Sequence, residues 1–165
     1  MQKFSSRLKD FIPLIVIFSI IFLFTAFMLV RLGRWDLVFA MRSFMGAFFV
    51  IFGGFKIINW KGFVDAYSIY DILAKRSRVY GYLYPLIELG LGFSYLFALN
   101  LFATNAITLF VMGISSIGVF NELGKGKQIP CACLGTVFKI PMTKVTLLED
   151  ILMAGMALWM LLLLL

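Results

Sequence analysis

Five apolar runs of about twenty residues each constrain the fold of this chain more than any other feature. An α-helix rises about 1.5 Å per residue, so roughly 20 apolar residues cross the roughly 30 Å hydrocarbon core of a bilayer. Hydrophobic residues make up 62% of the chain and charged residues 14%, whereas soluble domains average about 45–50% and about 25%. The sequence therefore predicts an all-α membrane protein with helices over residues 11–32, 41–60, 79–99, 102–120 and 146–165.

Two of these runs carry information about topology. The first is longer than the roughly 7–15 residues of a signal-peptide core, so we expect it to be retained as a transmembrane helix. The third and fourth are separated by little more than Asn100 and Leu101. A connection this short joins neighbouring antiparallel helices, and it predicts a tight hairpin.

The basic residues, which give a net charge of +7, lie mainly in short segments between the apolar runs. Nucleic-acid binding needs them on one face of a folded domain, so we expect no nucleic-acid partner and a lipid bilayer instead. Eleven Lys and Arg residues fall in the N-terminus and in segments 61–78 and 124–145, and three fall on the opposite side of a five-helix topology. Because basic loops stay in the cytoplasm, the count predicts a cytoplasmic 124–145 loop.

The absence of histidine excludes several classes of chemistry. Ser–His and Cys–His nucleophiles, imidazole proton shuttles and His-ligated zinc or haem all need this side chain. Any chemistry must therefore come from Cys, Lys, Glu, Asp, Tyr or Met.

The only two cysteines, Cys131 and Cys133, stand one residue apart in a Gly- and Pro-containing loop. A disulfide between them would close a small, strained ring, and strain makes a disulfide easier to reduce. Lys127 and Lys139 would lower the pKa of the thiols. Two alternatives remain open, namely a pair of unrelated packing cysteines and a soft-metal site, with Cu(I) held by both thiolates and Met142.

Two charged residues, Lys56 and Glu88, fall inside predicted membrane helices. Charges at membrane depth are costly, and they are usually paired or functional. An ion pair between the two is one interpretation, and the other is that Lys56 extends to the interface. Glycines inside the runs indicate close helix contacts, and we expect these at Gly90, Gly92, Gly113 and Gly118.

Two connecting segments carry local signals. In residues 61–78, Phe63, Tyr67, Tyr70 and Ala74 recur at helical spacing, which predicts either an amphipathic helix lying in the membrane interface or an ordinary helical loop. Before the last run, Thr146 and Glu149 match a capping box and predict a helix that starts at Thr146.

Several of these elements together resemble the MauE branch of the DoxX-like membrane proteins, a methylamine-utilisation and redox-associated group. The resemblance is carried by Gly53–Gly54–Phe55–Lys56, by Glu88–Leu89–Gly90, and by the sequence from Gly126 to Gly135 that contains the cysteine pair. It covers roughly residues 41–165. The stretch through Pro141–Met142–Thr143–Lys144 is also similar to a subgroup described as heavy-metal-associated.

The resemblance implies an antiparallel four-helix transmembrane bundle over residues 41–165, with residues 1–40 as an additional N-terminal helix and connector. It implies thiol–disulfide exchange with a thioredoxin-like partner in a bacterial inner membrane, as in the maturation of a disulfide-rich dehydrogenase. By position, Cys131 and Cys133 would be the redox pair, and Lys56 and Glu88 the intramembrane polar pair. A cytoplasmic loop would favour metal handling or electron entry from a cytoplasmic thiol, because cytoplasmic thiols are kept reduced.

Overall fold

The computed structural model describes residues 2–124, 133–134 and 144–164, with side chains described for 12–124, 133–134 and 147–164. Within these ranges the chain is all-helical, which confirms the predicted fold class. In chain order the helices are α1 (Gln2–Leu32), α2 (Leu37–Ile58), α3 (Trp60–Tyr67), α4 (Arg78–Phe97), α5 (Leu101–Gly124) and α6 (Lys144–Leu164).

Four of the described helices, α1, α2, α5 and α6, are long and apolar enough to cross a membrane. The fifth predicted span, 79–99, is present as α4, but its tyrosines, its glycines and Glu88 make it too polar to count among those four. It has 20 residues, which is about the length that a bilayer requires. The division of the chain at residues 40 and 41 stays a prediction.

Helix α4 runs antiparallel to α2 in close contact, so the two helices share the same depth. A Cβ added to Gly46 would lie 2.7 Å from the Leu96 side chain, and one added to Gly92 would lie 2.9 Å from the backbone nitrogen of Val50. Of the four glycines predicted to make close helix contacts, Gly92 packs against α2, whereas Gly118 packs against the backbone of Tyr70 and Asp71 in the segment after α3. The prediction is wrong for the other two, since within the described residues no atom outside the local helix lies within 4 Å of a Cβ at Gly90 or Gly113.

The predicted tight hairpin joins α4 and α5. Ala98 adopts a left-handed conformation with φ 54°, and it ends α4 three residues before α5 begins. Across the hairpin the Tyr95 hydroxyl donates to Asn105 at 2.8 Å and contacts Thr108 at 3.0 Å. Helix α5 also packs along α6, whereas α1 contacts α2 and no other described helix. The N-terminal helix is thus an addition to a bundle of α2, α4, α5 and α6.

The segment after α2 folds back over one end of this bundle. Asn59 caps α3 by accepting from the Gly62 N–H at 3.3 Å, and the turn places Phe63, Tyr67 and Tyr70 in the core, each at most 4% exposed. The apolar side of the segment therefore packs inward on the protein. The interfacial-helix interpretation fails, because little of that face is left for lipid.

The start of the last helix differs from the prediction. Helix α6 begins at Lys144, two residues before the predicted start at Thr146. Glu149 consequently lies in the second turn, where its side chain is buried. The capping-box prediction is therefore wrong.

Candidate functional site

A small polar cavity of about 20 Å³ lies at the end of the bundle where α2 and α5 finish and where α4 and α6 start. Five helices, α2 to α6, and the segment at 133–134 contribute side chains to its wall. The ionisable or sulfur-containing groups among them include Lys56, Glu88, Cys133, Glu149 and Asp150. Ionisable or sulfur-containing groups from four separate parts of the chain therefore line one small cavity.

Lys56 and Glu88 form a buried ion pair across α2 and α4. The Lys56 Nζ donates to the Glu88 Oε1, and the side chains are 6% and 1% exposed. Nζ also lies 4.9 Å from the ring centroid of Tyr84 and 5.6 Å from that of Phe63, within the range of cation–π attraction. Lys56 is therefore directed into the protein, and it does not extend to the interface.

Close packing at Gly53 explains how these two charges meet. A Cβ at Gly53 would lie 3.2 Å from the Pro85 carbonyl oxygen and 3.3 Å from the Glu88 Cβ. Glycine therefore lets the backbone of α4 approach α2 at this level. Lys56 stands three residues further along α2, on the same helix face, and its side chain reaches the Glu88 carboxylate.

Two further carboxyl groups enter the cavity from α6. Asp150 accepts a hydrogen bond from the Ser115 Oγ of α5 at 2.9 Å. Glu149 is 5% exposed, and its Oε1 has no hydrogen-bond partner among the described residues. The Glu88 Oε2 is likewise unpaired in the described part of the chain. Buried polar atoms are normally satisfied, so these two oxygens mark a place for a proton or a water.

Aromatic rings cover the cavity on the side of the 60–77 segment. The rings of Tyr67 and Tyr84 lie 4.5 Å apart, and those of Phe63 and Tyr67 lie 5.0 Å apart. Tyr67 belongs to α3, outside the membrane helices. Burial, together with the nearby Tyr84 and Asp71, raises the pKa of Tyr67, so its hydroxyl stays neutral at physiological pH. The aromatic cover limits the access of bulk water to the charged groups.

Cys133 reaches the same cavity from the loop between α5 and α6. It is partly buried and disulfide-bonded, and the side chain of the next residue, Leu134, is 1% exposed. The loop is thus anchored in the bundle at this point. Cys131 and Met142, the other predicted site residues, lie outside the described residues.

Sequence reasoning missed part of this site. The sequence pattern predicts Glu149 in a helix cap and Tyr67 on the apolar face of segment 61–78, and it does not single out Ser115 or Tyr84. A polar residue in an apolar run was the available signal for Ser115, but nothing in the sequence indicates which face of α5 meets α6. Lys56 and Glu88 were found because full charges stand out in apolar surroundings.

The cavity suits proton exchange better than binding of an organic substrate. A buried water needs roughly 10–15 Å³ of such space, so a cavity of about 20 Å³ holds about one. Three carboxyl groups and one ammonium group face it among the described residues, beside one half of a disulfide. The arrangement can hold and move protons next to a disulfide sulfur.

One comparison with known proteins identifies a relative. The family model described as methylamine utilisation protein MauE matches residues 34–163. The match includes every cavity residue named above and leaves α1 outside. No curated protein and no solved structure matches the chain.

Proposed function

This chain belongs to the MauE family of multi-pass membrane proteins, and from that membership we propose that it performs thiol–disulfide exchange through Cys131 and Cys133. Its partner in this proposal is a thioredoxin-like protein, and its location is the bacterial inner membrane. The proposed reaction transfers two electrons between dithiol and disulfide pairs through a mixed disulfide. One pair is oxidised as the other is reduced.

The observation that carries the proposal is the state and position of Cys133. It is disulfide-bonded at the rim of a polar cavity, and the chain has only one other cysteine. A disulfide that served only to staple the fold would need no neighbouring cluster of proton-exchanging groups. Strain in a ring closed one residue apart would favour exchange.

The experiment follows the redox state of the purified protein. The reduced protein is mixed with an oxidised thioredoxin-like protein, quenched with acid and alkylated, so that dithiol and disulfide forms separate on a gel. We expect conversion to the disulfide form with matching reduction of the partner. Cys131→Ser and Cys133→Ser should each abolish this conversion, because each variant lacks one of the two thiols that form the disulfide. A pair that remains reduced in this assay and in cells would refute the proposal.

The same protein preparation can distinguish soft-metal binding from thiol–disulfide exchange. It needs Cys131, Cys133 and Met142 as ligands, and two of these lie outside the described residues. Met142→Leu is the matched variant, because it removes only the thioether. Exchange predicts an unchanged rate in Met142→Leu, whereas metal binding predicts tight Cu(I) binding by the reduced protein that this substitution weakens.

A further inference from the structure

Glu149 has an unusual position for a membrane-helix carboxyl group. Glu149 is only 5% exposed, and its Oε1 has no hydrogen-bond partner among the described residues. It lines the cavity that Cys133 also lines. A carboxylate buried without a partner is costly, so the neutral acid is the favoured form here. A neutral acid that lines the same cavity as a disulfide sulfur could donate a proton to it through a water in that cavity.

We propose that Glu149 exchanges a proton with the sulfur of Cys133 each time its disulfide opens or closes, through one water in the cavity. The inference rests on the proposed thiol–disulfide exchange and adds the residue that handles the proton. An incoming thiolate attacks the other sulfur of the disulfide, and the S–S electron pair passes to Cys133. The resulting thiolate takes the proton of the Glu149 acid, which becomes a carboxylate and is reprotonated from solvent.

When the disulfide closes, the proton and the electron pair move in the opposite direction. The Glu149 carboxylate removes the proton from the Cys133 thiol, and the thiolate attacks the mixed disulfide and expels the partner as a thiolate. A thiolate formed in this cavity would otherwise face several carboxyl groups in a water-poor setting. A nearby acid removes that unfavourable charge, which is the usual basis of general acid–base catalysis.

The other carboxyl groups that face the cavity each hold one partner among the described residues. On α4 the Glu88 Oε1 accepts from Lys56 of α2, and on α6 Asp150 accepts from Ser115 of α5. Tyr67 of α3 is a weak acid, because burial raises its pKa. Tyr70 and Tyr84 complete the ionisable groups of the described cavity wall. Glu149 is left as the carboxyl group available to Cys133.

The test measures how fast the oxidised protein is reduced by an uncharged phosphine, relative to a small model disulfide with the same reagent. For the wild type we expect the relative rate to fall as Glu149 ionises at rising pH, with a solvent deuterium isotope effect absent from the model. Glu149→Gln should lose both the fall in rate with pH and the solvent isotope effect. It should also react roughly 10²-fold more slowly, the low end of general-acid effects. Glu149→Asp should keep the isotope effect at a reduced rate.

The matched control is Glu122→Gln on α5. Glu122 is also buried and carboxylic, but it pairs with Lys75 at 2.7 Å and does not line the cavity, so both features should persist. A pH-independent wild-type rate, or a Glu149→Gln profile equal to that of the wild type, would overturn the inference. Failure of the exchange proposal looks different, because the wild type would then not exchange with the partner at all.

Discussion

At the scale of single residues, the packing of α2 against α4 depends on a buried pair of opposite charges. Lys56 and Glu88 each bring a charge to membrane depth, where an unpaired charge is expensive. Their mutual contact and the rings of Tyr84 and Phe63 offset that cost. Breaking a buried pair by removing one member costs more than replacing both members with apolar residues. The pair therefore constrains the register of α2 against α4.

We predict that Lys56→Met lowers the free energy of unfolding by about 3–5 kcal/mol, because it leaves the Glu88 carboxyl group buried alone. The double variant with Glu88→Leu should regain most of this loss. Unfolding in mixed micelles with a denaturing detergent measures both effects.

The control for this prediction is Arg78→Ala, which removes the Arg78–Asp65 pair at the surface. Those side chains are 71% and 49% exposed, so the expected loss is about 1 kcal/mol or less. If Lys56→Met costs no more than Arg78→Ala, the buried pair is not a determinant of stability.

At the scale of elements, small residues decide how closely α2 and α4 approach. In a membrane, helix association depends on close packing and polar contacts, because lipid tails are as apolar as the helices themselves. Gly46 of α2 and Gly92 of α4 lie in this contact, where a Cβ on either would meet the Leu96 or Val50 side chain at 2.7 Å. This close contact sets the distance between α2 and α4, and that distance allows Glu88 of α4 to reach Lys56 of α2.

Gly92→Ala should therefore destabilise the protein by about 1–3 kcal/mol, the usual cost of overpacking. The new Cβ would lie 2.7 Å from the Val50 Cγ2 and 2.9 Å from its backbone nitrogen, and backbone atoms cannot move aside cheaply. Thermal unfolding in detergent is the measurement.

Gly90→Ala is the matched control on the same helix. In the part of the chain that the structure describes, no atom outside the local helix lies within 4 Å of a Cβ at Gly90, and alanine favours a helix over glycine by about 0.5–1 kcal/mol. The variant should be as stable as the wild type or slightly more so. Equal destabilisation by both substitutions would contradict the close α2–α4 contact.

At the scale of the whole molecule, the two ends of the bundle are different. The cavity, the 60–77 segment and the cysteine loop belong to the end that carries most of the basic residues. The outer surfaces of the membrane helices present large apolar side chains such as Phe22, Phe110 and Trp159. The orientation of this polar end would decide which compartment supplies the proposed thiol partner.

The charge count predicts that the basic end faces the cytoplasm. In a background with both native cysteines replaced by serine, Leu99→Cys in the α4–α5 turn should react with an impermeant thiol reagent on intact cells. Lys61→Cys, at the opposite end, should react only after permeabilisation. Both positions are exposed. The reverse labelling pattern would place the cysteine loop outside, where stable disulfides form.

Much of the fold and part of the site could be predicted from the sequence. The apolar runs predicted the membrane helices, because the thickness of the bilayer requires about 20 apolar residues per helix, and runs of that length are visible in the sequence. The α4–α5 hairpin followed from a short connection, and Lys56, Glu88 and the cysteines stood out as chemically conspicuous residues. The error at α3 arose because periodicity identifies a helix face but not what covers it. The error at α6 arose because a local capping pattern does not by itself fix where a helix starts.

The chain by itself determined that the protein lies in a membrane as a helical bundle, since that outcome depends on hydrophobicity summed over each run. Only the tertiary structure decided that Glu149 and Asp150 of α6, Ser115 of α5 and Cys133 of a loop meet at the Lys56–Glu88 pair. Such a meeting depends on which faces of the helices pack together, and these faces are set by contacts between residues far apart in the chain.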